Sequence, residues 1–557
     1  MPAIHARRRA GRTLIGGRAS QSTMNHHTKT TAWRRAALHL SVAGALTLGA
    51  LPWAPVGAGQ FNLPDMGDSS DALISSGAEI RLGRAFMRHV RASLPVSDDP
   101  LITAYLESLG SELVAADKSA KGSFDFFLID QRVVNAFAGP GGHIGIYAGL
   151  ILAAQSEDEL AAVVAHEIAH ITQHHLMRGY EDQSKFNIPT MALMIAAAIL
   201  ATQAGSGDAG MAAMAGIQAA AIQRQINVIR EDEKEADRIG IATLANARRD
   251  PYAMAAFFER LSKTSRLYEN NAPEFLRTHP VNSNRIGDAL GRAAEYGVRQ
   301  RPDSLRFLLA RARLREASYD RPEKSLAAFK ASLREGRFSN EPAERYGYAL
   351  ALLRSGQLDE AKAEASRLLA GQPSLAEFIV LDARIELKQG RTDAALAHLR
   401  EAVGLYPGNW PLRVAYAEAL TSAGQPRKAM EQLKAVAAVR PGNAMVLDLL
   451  GQAAIKSGDK GASLRYRAEK LYAEGDLEPA IQQLEFALRQ RDLDYYEAAQ
   501  IQVLLESWKE EERAQKKRGR DPFGFNAAGA ADGPKTPIDV HSDVHSDVRR
   551  DIRKGDN

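Results

Sequence analysis

The sequence predicts two fold classes in one chain: an α+β domain that is mostly helical with a small sheet, followed by an all-α solenoid of helical repeats. Helix-like and strand-like apolar patterns alternate between about residues 60 and 300, whereas the pattern from about 304 to 491 is helical and repetitive. We therefore expect a leader at 1–59, the α+β domain at 60–300, the repeat domain at 301–517 and a tail at 518–557. The tail is rich in Gly, Pro, Asp and Arg, a composition typical of disorder.

The leader has the charge and the apolar pattern of an export signal. Residues 1–59 contain eight Lys/Arg and no Asp/Glu, so the rest of the chain has 63 basic and 67 acidic residues, a charge of −4 instead of +4. Arg34-Arg35 precede a short apolar run that ends at Pro52, and small residues at 56–59 suit a signal peptidase. We expect a cleaved signal peptide, with Met24 as a second candidate start; a membrane anchor is the alternative. The acidic remainder gives no reason to expect nucleic acid as a partner.

The chain contains no cysteine. Export to an oxidising compartment permits disulfides, but this chain has none to form. Any transition-metal site must therefore be built from His, Asp and Glu side chains.

The repeat domain carries three landmarks at one spacing of 34 residues. They are Gly356, Gly390, Gly424 and Gly458; Pro373, Pro407 and Pro441; and Ala361, Ala395 and Ala429. A helix–turn–helix unit needs Gly where its first helix turns back, Ala where helices pack closely, and Pro after its second helix. The pattern resembles tetratricopeptide repeats, which form a concave surface that binds proteins or peptides; a purely structural helical spacer is the alternative. The segment 305–336 suits a degenerate first repeat, and Gly475, only 17 residues after Gly458, indicates an irregular last unit.

A short motif in the first domain has the spacing of a metal site. Ser156-Glu157-Asp158-Glu159 is a capping box that predicts a helix start, and His166-Glu167-Ile168-Ala169-His170 follows on the same apolar helix. A spacing of i, i+4 places His166 and His170 one turn apart on one face, where both imidazoles can bind one zinc ion. Glu167 beside them can act as a general base on a metal-bound water. A pair of solvent-exposed histidines is the alternative, which the apolar surroundings disfavour.

Two further histidines follow the motif. His174 is predicted to continue the same helical face one turn on, with His175 beside it. We interpret both as supporting the site, because the next turn lies too far from a metal bound by the first pair.

A catalytic zinc ion needs a third protein ligand and one open position. The acidic run from Arg230 to Gly240 supplies four candidates, among which spacing alone cannot choose: Glu231, Asp232, Glu233 and Glu235. Glu233 and Asp237 are four residues apart on one helical face, so the first can bind zinc while the second accepts a hydrogen bond from a ligand imidazole. A solvated helix face is the alternative.

The motif His-Glu-x-x-His followed by Glu-x-x-Ala-Asp-x-x-Gly resembles the HtpX/CAAX-protease type of gluzincin metallopeptidase. The resemblance implies a zincin-like fold, one Zn2+ ion, Glu233 as its third ligand and Asp237 as the acid that supports the ligands. It extends to the strand-and-turn segment Asn135-Ala136-Phe137-Ala138 with Gly141-Gly142, and to Thr278-His279-Pro280 with Arg285-Ile286.

The resemblance also implies a mechanism. Glu167 takes a proton from the attacking water and later passes it to the leaving amine. His279 either stabilises the developing oxyanion or folds back as a fourth, inhibitory zinc ligand. Arg285 either assists the oxyanion or braces the loop. The strand at 135–138 is expected to pair with an extended substrate peptide.

The leader, the segment Leu63-Pro64-Asp65-Met66-Gly67 and the repeats narrow the resemblance to exported members of this family. This resemblance implies a role in quality control in the periplasm of a Gram-negative bacterium, peripheral to the outer membrane. The expected substrates are misfolded or stalled outer-membrane β-barrel proteins, which the enzyme degrades or helps to assemble, and the repeats are expected to bind the barrel-assembly machinery. A repeat-based chaperone with a structural zinc ion and little proteolysis is the alternative.

The stretch before the acidic run, residues 186–222, is rich in Ala, Met and Ile. Its first half, 186–204, is nearly long enough to span a membrane, but Ala dominates its middle and it contains Asn187, Pro189 and Gln203. We interpret 186–222 as a helical hairpin or lid over the site that touches a membrane surface; a membrane-spanning helix is the alternative.

Overall fold

The computed structural model describes residues 76–178, 191–197, 219–267, 273–490 and 493–520. The predicted leader lies outside these residues, as does the predicted tail apart from its first three residues, 518–520, which continue the last helix; most of the stretch at 186–222 also lies outside them. Among the helices that are described, none combines the length and the apolar character needed to cross a membrane.

The first domain consists of nine α-helices, a short 3-10 helix at Pro140–Gly142 and one small sheet within the described residues, and a further helical segment covers 191–197. The elements are α1 (Ser76–Ser93), α2 (Pro100–Ala116), β1 (Asp125–Ile129), β2 (Ala136–Ala138), β3 (His143–Tyr147), α3 (Ala148–Ala153), α4 (Glu157–Thr172), α5 (His175–Arg178), α6 (Ala219–Asn246), α7 (Ala253–Leu267), α8 (Glu274–Thr278) and α9 (Ser283–Tyr296). The mostly helical α+β prediction is therefore confirmed.

The sheet has the strand order β1-β3-β2, with β3 parallel to β1 and antiparallel to β2. The predicted strand at 135–138 is β2, and it lies at one edge of the sheet. An edge strand keeps one row of backbone groups free for another chain.

Helix α4 is the centre of the first domain. The Ser156 hydroxyl accepts a hydrogen bond from the Glu159 amide, and the Glu159 carboxylate accepts one from the Gln155 amide, so the predicted cap is present. Every residue from Glu157 to Ala169 is buried, as expected for a helix that is surrounded by other elements. The helix therefore holds its side chains in fixed positions.

Helix α6 approaches α4 closely at Gly240. A Cβ atom at Gly240 would lie 3.2 Å from the His166 amide nitrogen and 2.9 Å from Met254 Cε. Only a residue without a side chain permits this approach, which brings the acids of α6 up to the histidines of α4.

The repeat domain is a run of helices from α10 to α21. They are α10 (Leu305–Ala317), α11 (Pro322–Glu335), α12 (Glu341–Arg354), α13 (Leu358–Gly371), α14 (Ala376–Lys388), α15 (Thr392–Leu405), α16 (Trp410–Ser422), α17 (Pro426–Val439), α18 (Ala444–Ser457), α19 (Lys460–Ala473), α20 (Leu477–Ala487) and α21 (Tyr495–Arg520). The predicted degenerate first repeat is the pair α10 and α11.

The three landmarks have the predicted roles in the repeats. Gly356, Gly390, Gly424 and Gly458 follow the first helix of each pair and have φ between 71° and 80°, a conformation that glycine adopts without strain. Ala361, Ala395 and Ala429 are fully buried in the second helices. Each of the three prolines follows the end of a second helix, as the 34-residue pattern predicts.

The far end of the array returns to helix α1. Arg84 donates a hydrogen bond to the Tyr472 hydroxyl (2.8 Å), and Arg88 donates one to the Gly475 carbonyl (3.1 Å). Nearer the middle of the array, Arg440 forms an ion pair with Glu107 of α2. The repeats and the first domain are therefore in direct contact.

Candidate metal centre

Four side chains from three parts of the first domain converge on one point. His166 and His170 come from α4, Glu233 from α6 and His279 from the residue after α8. One ligand atom from each lies within 4.8 Å of the others. His166 and Glu233 are almost fully buried, at 1 % and 5 % exposure.

The distances between these atoms fit a metal coordination shell. His166 Nε2 lies 3.0 Å from His170 Nε2, 3.3 Å from His279 Nδ1 and 3.6 Å from Glu233 Oε2. Glu233 Oε1 lies 3.5 Å from His170 Nε2 and 2.9 Å from His279 Nδ1. Metal–ligand bonds of about 2.0–2.1 Å in a tetrahedral zinc site place neighbouring ligand atoms about 3.3 Å apart. The donor set and its spacing therefore fit a zinc-like ion.

Burial and the neighbouring charges shift the pKa values of these groups in different directions. Burial would lower the pKa of His166, but the adjacent carboxylates of Asp237 and Glu233 raise it to about 10. Burial opposes ionisation of Glu233, yet the neighbouring histidines, His279 foremost, hold the pKa of Glu233 well below its usual value. Burial lowers the pKa of His170 to about 3, so this imidazole stays neutral and able to bind a metal.

Asp237 and Arg285 hold His166 from behind. The Asp237 carboxylate lies 3.1 Å from His166 Nδ1 and receives two hydrogen bonds from the Arg285 guanidinium, at 2.7 and 2.8 Å. The third guanidinium nitrogen donates to Glu233 Oε2 (2.7 Å) and to the Pro280 carbonyl (2.9 Å). One buried arginine therefore joins two acids of α6 to the loop that carries His279.

Glu167 lies beside the four converging side chains rather than among them. Its side chain is 1 % exposed, and its Oε1 atom is 3.4 Å from His279 Nε2. Burial raises the pKa of Glu167, while nearby His279 and His166 and a backbone hydrogen bond from Ala138 act against that rise. A carboxylate with a raised pKa is suited to accept and return a proton.

The register of β2 determines which backbone groups face the edge of the sheet. The Tyr147 amide donates to the Asn135 carbonyl, and Phe137 pairs with Gly145, so residues 135 and 137 use their backbones within the sheet. The backbones of Ala136 and Ala138 point to the outer edge, although the Asn135 side chain already accepts a hydrogen bond from the Ala136 amide.

The prediction that His174 continues the face of His166 and His170 is wrong, because α4 ends at Thr172 and His174 has φ 53°. The reversal instead brings His175 back onto the helix, where its Nδ1 atom lies 2.9 Å from His170 Nδ1. The His175 side chain is buried at this position.

The helical segment at 191–197 packs against the sheet. Ala192 and Ile195 are buried in the same apolar cluster as Phe137 and Tyr147. The remainder of the predicted hairpin or lid lies outside the described residues.

A buried His-Glu-x-x-His helix with a downstream acid, followed by helical repeats, defines a metallopeptidase joined to a repeat array. Residues 100–293 match peptidase family M48, and residues 386–453 match the tetratricopeptide repeat. The β-barrel assembly-enhancing protease of Yersinia pestis is 36 % identical over 440 residues, which cover 79 % of this chain and 88 % of that protein. Its counterpart in Escherichia coli (strain K12) is 34 % identical over 444 residues, covering 80 % and 90 %.

The chain therefore belongs to the β-barrel assembly-enhancing protease family, and it is a metalloprotease. A more distant relative is the mitochondrial metalloendopeptidase OMA1 of Arabidopsis thaliana, which is 28 % identical over 178 residues. That match covers 31 % of this chain and 33 % of the relative.

Proposed function

We propose that this protein is a periplasmic zinc metalloendopeptidase that acts on outer-membrane β-barrel proteins, degrading misfolded or stalled ones and assisting the assembly of others. The observation that carries the proposal is the convergence of His166, His170 and Glu233 at coordination distances, with Glu167 alongside. The substrate class rests on membership of a family whose relatives are named for β-barrel assembly.

His166, His170 and Glu233 hold the zinc ion in this proposal. When bound, zinc polarises the scissile carbonyl and lowers the pKa of its water toward about 7. The low pKa of Glu233 and the neutral His170 supply ligands in the form that a metal requires. Asp237 fixes the orientation of His166 from the side of Nδ1, so that Nε2 points to the place where the ion would bind.

Glu167 is the general base and later the general acid. Its carboxylate takes the proton from the attacking water and passes it to the leaving amine when the peptide bond breaks. The burial that raises its pKa supports both roles, because a proton that is held moderately tightly can be returned.

His279 is a latch that occupies the fourth position until a substrate displaces it. Its Nδ1 atom lies 2.9 Å from Glu233 Oε1 and 3.3 Å from His166 Nε2, within the spacing of the other ligands. Arg285 is the brace of this loop rather than an oxyanion donor, since its guanidinium is already engaged by Asp237, Glu233 and the Pro280 carbonyl.

The substrate binds as an extended strand along the free edge of β2. The outward backbone groups of Ala136 and Ala138 provide the hydrogen-bonding groups, although the Ala138 backbone is also in contact with Glu167 at the catalytic centre. Asn135 must release the Ala136 amide before a peptide can use it. The residues around 186–222 remain a predicted lid with membrane-surface contact.

The repeats bind whole protein partners, among them the barrel-assembly machinery. Tetratricopeptide arrays present a concave surface for such partners, and this array touches α1 and α2 of the peptidase domain. Binding on the array can therefore bring a client close to the catalytic helix.

The direct test is Glu167→Gln. The amide keeps the shape of the side chain but cannot accept the proton, so we expect one zinc ion per protein and no cleavage of casein or of an unfolded barrel protein. Glu231→Gln is the control, because Glu231 is an exposed acid of α6. Zinc content is measured by mass spectrometry and cleavage by gel.

Two outcomes would count against the proposal. Persistent cleavage by Glu167→Gln would overturn the catalytic assignment. A wild-type protein that binds zinc but cleaves nothing, while still suppressing aggregation of unfolded barrel proteins, would favour the chaperone alternative.

A further inference from the structure

The second nitrogen of His170 has a partner of its own. His170 Nε2 faces His166 and Glu233, whereas His170 Nδ1 lies 2.9 Å from His175 Nδ1. A neutral imidazole that binds a metal through Nε2 carries its hydrogen on Nδ1. His170 therefore donates this hydrogen bond, and His175 accepts it.

The chain is bent so that His175 reaches this position. The left-handed conformation of His174 ends α4 and turns the next residue back onto it, where the rings of His170 and His175 meet edge to face at 4.8 Å. Such a conformation is uncommon for a residue with a side chain and persists only where the surrounding structure maintains it.

The other nitrogen of His175 faces α6. His175 Nε2 lies 3.3 Å from Glu235 Oε2 and 3.7 Å from the Asp232 carboxylate. Arg178 donates a hydrogen bond to the same oxygen of Glu235 at 3.1 Å. Since His175 accepts at Nδ1, its hydrogen is on Nε2 and is donated to Glu235.

We infer that His175 is a positioning residue that, together with Glu235, fixes the tautomer and orientation of His170. This role mirrors that of Asp237 and Arg285 behind His166. Both chains of polar contacts end on an arginine, and helix α6 supplies the acid of each. The inference rests on the proposed zinc site, because it concerns how that site's second histidine is held.

A second metal site built from His175, Asp232 and Glu235 is the competing explanation, since their ligand atoms also lie close together. Two observations disfavour it. Arg178 and Arg238 already contact the Glu235 carboxylate, at 3.1 and 3.4 Å. A cation on His175 Nε2 would also move the ring hydrogen to Nδ1, where it would oppose the hydrogen of His170 across 2.9 Å.

The test compares two amides of different length in the full chain. In His175→Asn, the side-chain oxygen lies near the former Nδ1 position and can still accept from His170. In His175→Gln, the oxygen extends toward the former Nε2 position and leaves the His170 hydrogen without an acceptor. The measurements are the zinc dissociation constant, by competition with a chelating dye, and the number of zinc ions bound.

We expect His175→Gln to weaken zinc binding by about 10–100-fold, the usual effect of removing a partner of a metal ligand, and His175→Asn to restore most of it. Proteolysis by the Gln variant should recover as free zinc is raised, which a general folding defect would not produce. Equal zinc affinity in both variants and the wild type would overturn the inference, as would a second zinc ion lost only on substitution of His175.

Glu235→Leu is the substitute test if neither His175 variant folds. The Glu235 side chain is 32 % exposed, so its replacement leaves the core intact. We expect a loss of zinc affinity of about tenfold, and unchanged affinity would overturn the inference. If the wild type bound no zinc, the proposed function would fail instead. If the wild type binds zinc and cleaves substrate, and all three variants bind zinc as tightly as the wild type, only the role of His175 is refuted and the proposed function stands.

Discussion

His279 Nδ1 lies 2.9 Å from Glu233 Oε1, so the loop after α8 inserts a side chain directly beside the predicted third metal ligand. The same ring stacks on Phe275 with centroids 4.7 Å apart, and its other nitrogen faces Glu167. In the proposed site, a side chain of the protein itself thus fills the fourth position around the metal.

His279→Ala is expected to raise basal proteolysis. Removing the ring opens the fourth position without removing any of the three proposed zinc ligands. The measurement is the initial rate of casein cleavage at saturating zinc, with zinc content determined in parallel.

The opposite result would be equally informative for His279. A loss of cleavage with unchanged zinc content would contradict the latch and favour stabilisation of the oxyanion. His143→Ala is the control, because His143, at the start of β3, pairs with the half-exposed Asp125 and is not one of the four converging side chains.

The histidine pair was predictable from sequence because a helix fixes i, i+4 geometry locally. The choice of acid was not, since Glu231, Asp232, Glu233 and Glu235 all lie within one and a half turns of the same helix. The packing of α6 on α4, which is close at Gly240, buries Glu233 on the inward side of the helix. The family resemblance indicated Glu233 as the third ligand, and in the structure its carboxylate lies beside both His166 and His170.

A matched pair of variants tests the choice of acid. Glu233→Gln should lose zinc and activity together, because an amide is a poor zinc ligand and leaves two histidines alone. Glu231→Gln should keep both, because that exposed side chain contributes nothing to the centre. Zinc dissociation constants decide the matter, and equal constants for the two variants would refute Glu233 as the ligand.

Arg285→Gln is expected to destabilise the zinc-free protein by about 3–5 kcal/mol, because it leaves two buried carboxylates without their counter-ion. Zinc should recover part of this loss, since a bound cation offsets the same negative charge. Urea unfolding with and without a chelator measures both effects, and Arg292→Gln on the same helix is the control. A loss that is equal with and without zinc would contradict the shared electrostatic role.

The repeats were predictable for the same local reason as the histidine pair, because each glycine, alanine and proline acts within its own helical hairpin. The return of the last turn to α1 was not predictable. It depends on the curvature of the whole array, which is the sum of a small rotation from each repeat. The sequence of a single repeat does not reveal that rotation.

Gly475 is the point at which that return can be tested. It has φ 91°, and a Cβ atom there would lie 3.0 Å from the Arg84 carbonyl oxygen of α1. Gly458 has a similar φ of 80° but has nothing within 4 Å of its Cβ position. Alanine at either position incurs a similar backbone cost of about 1–2 kcal/mol, so only the contact differs.

Gly475→Ala should therefore loosen the contact between the array and α1, whereas Gly458→Ala should not. We expect faster amide hydrogen exchange in α1 for the first variant, because Arg84 and Arg88 lose their fixed partners Tyr472 and Gly475. Exchange in α18, the helix that ends before Gly458, serves as the internal reference. If both variants changed amide exchange in α1 equally, the effect would come from backbone strain. The contact between Gly475 and α1 would then not be what joins the end of the array to the peptidase domain.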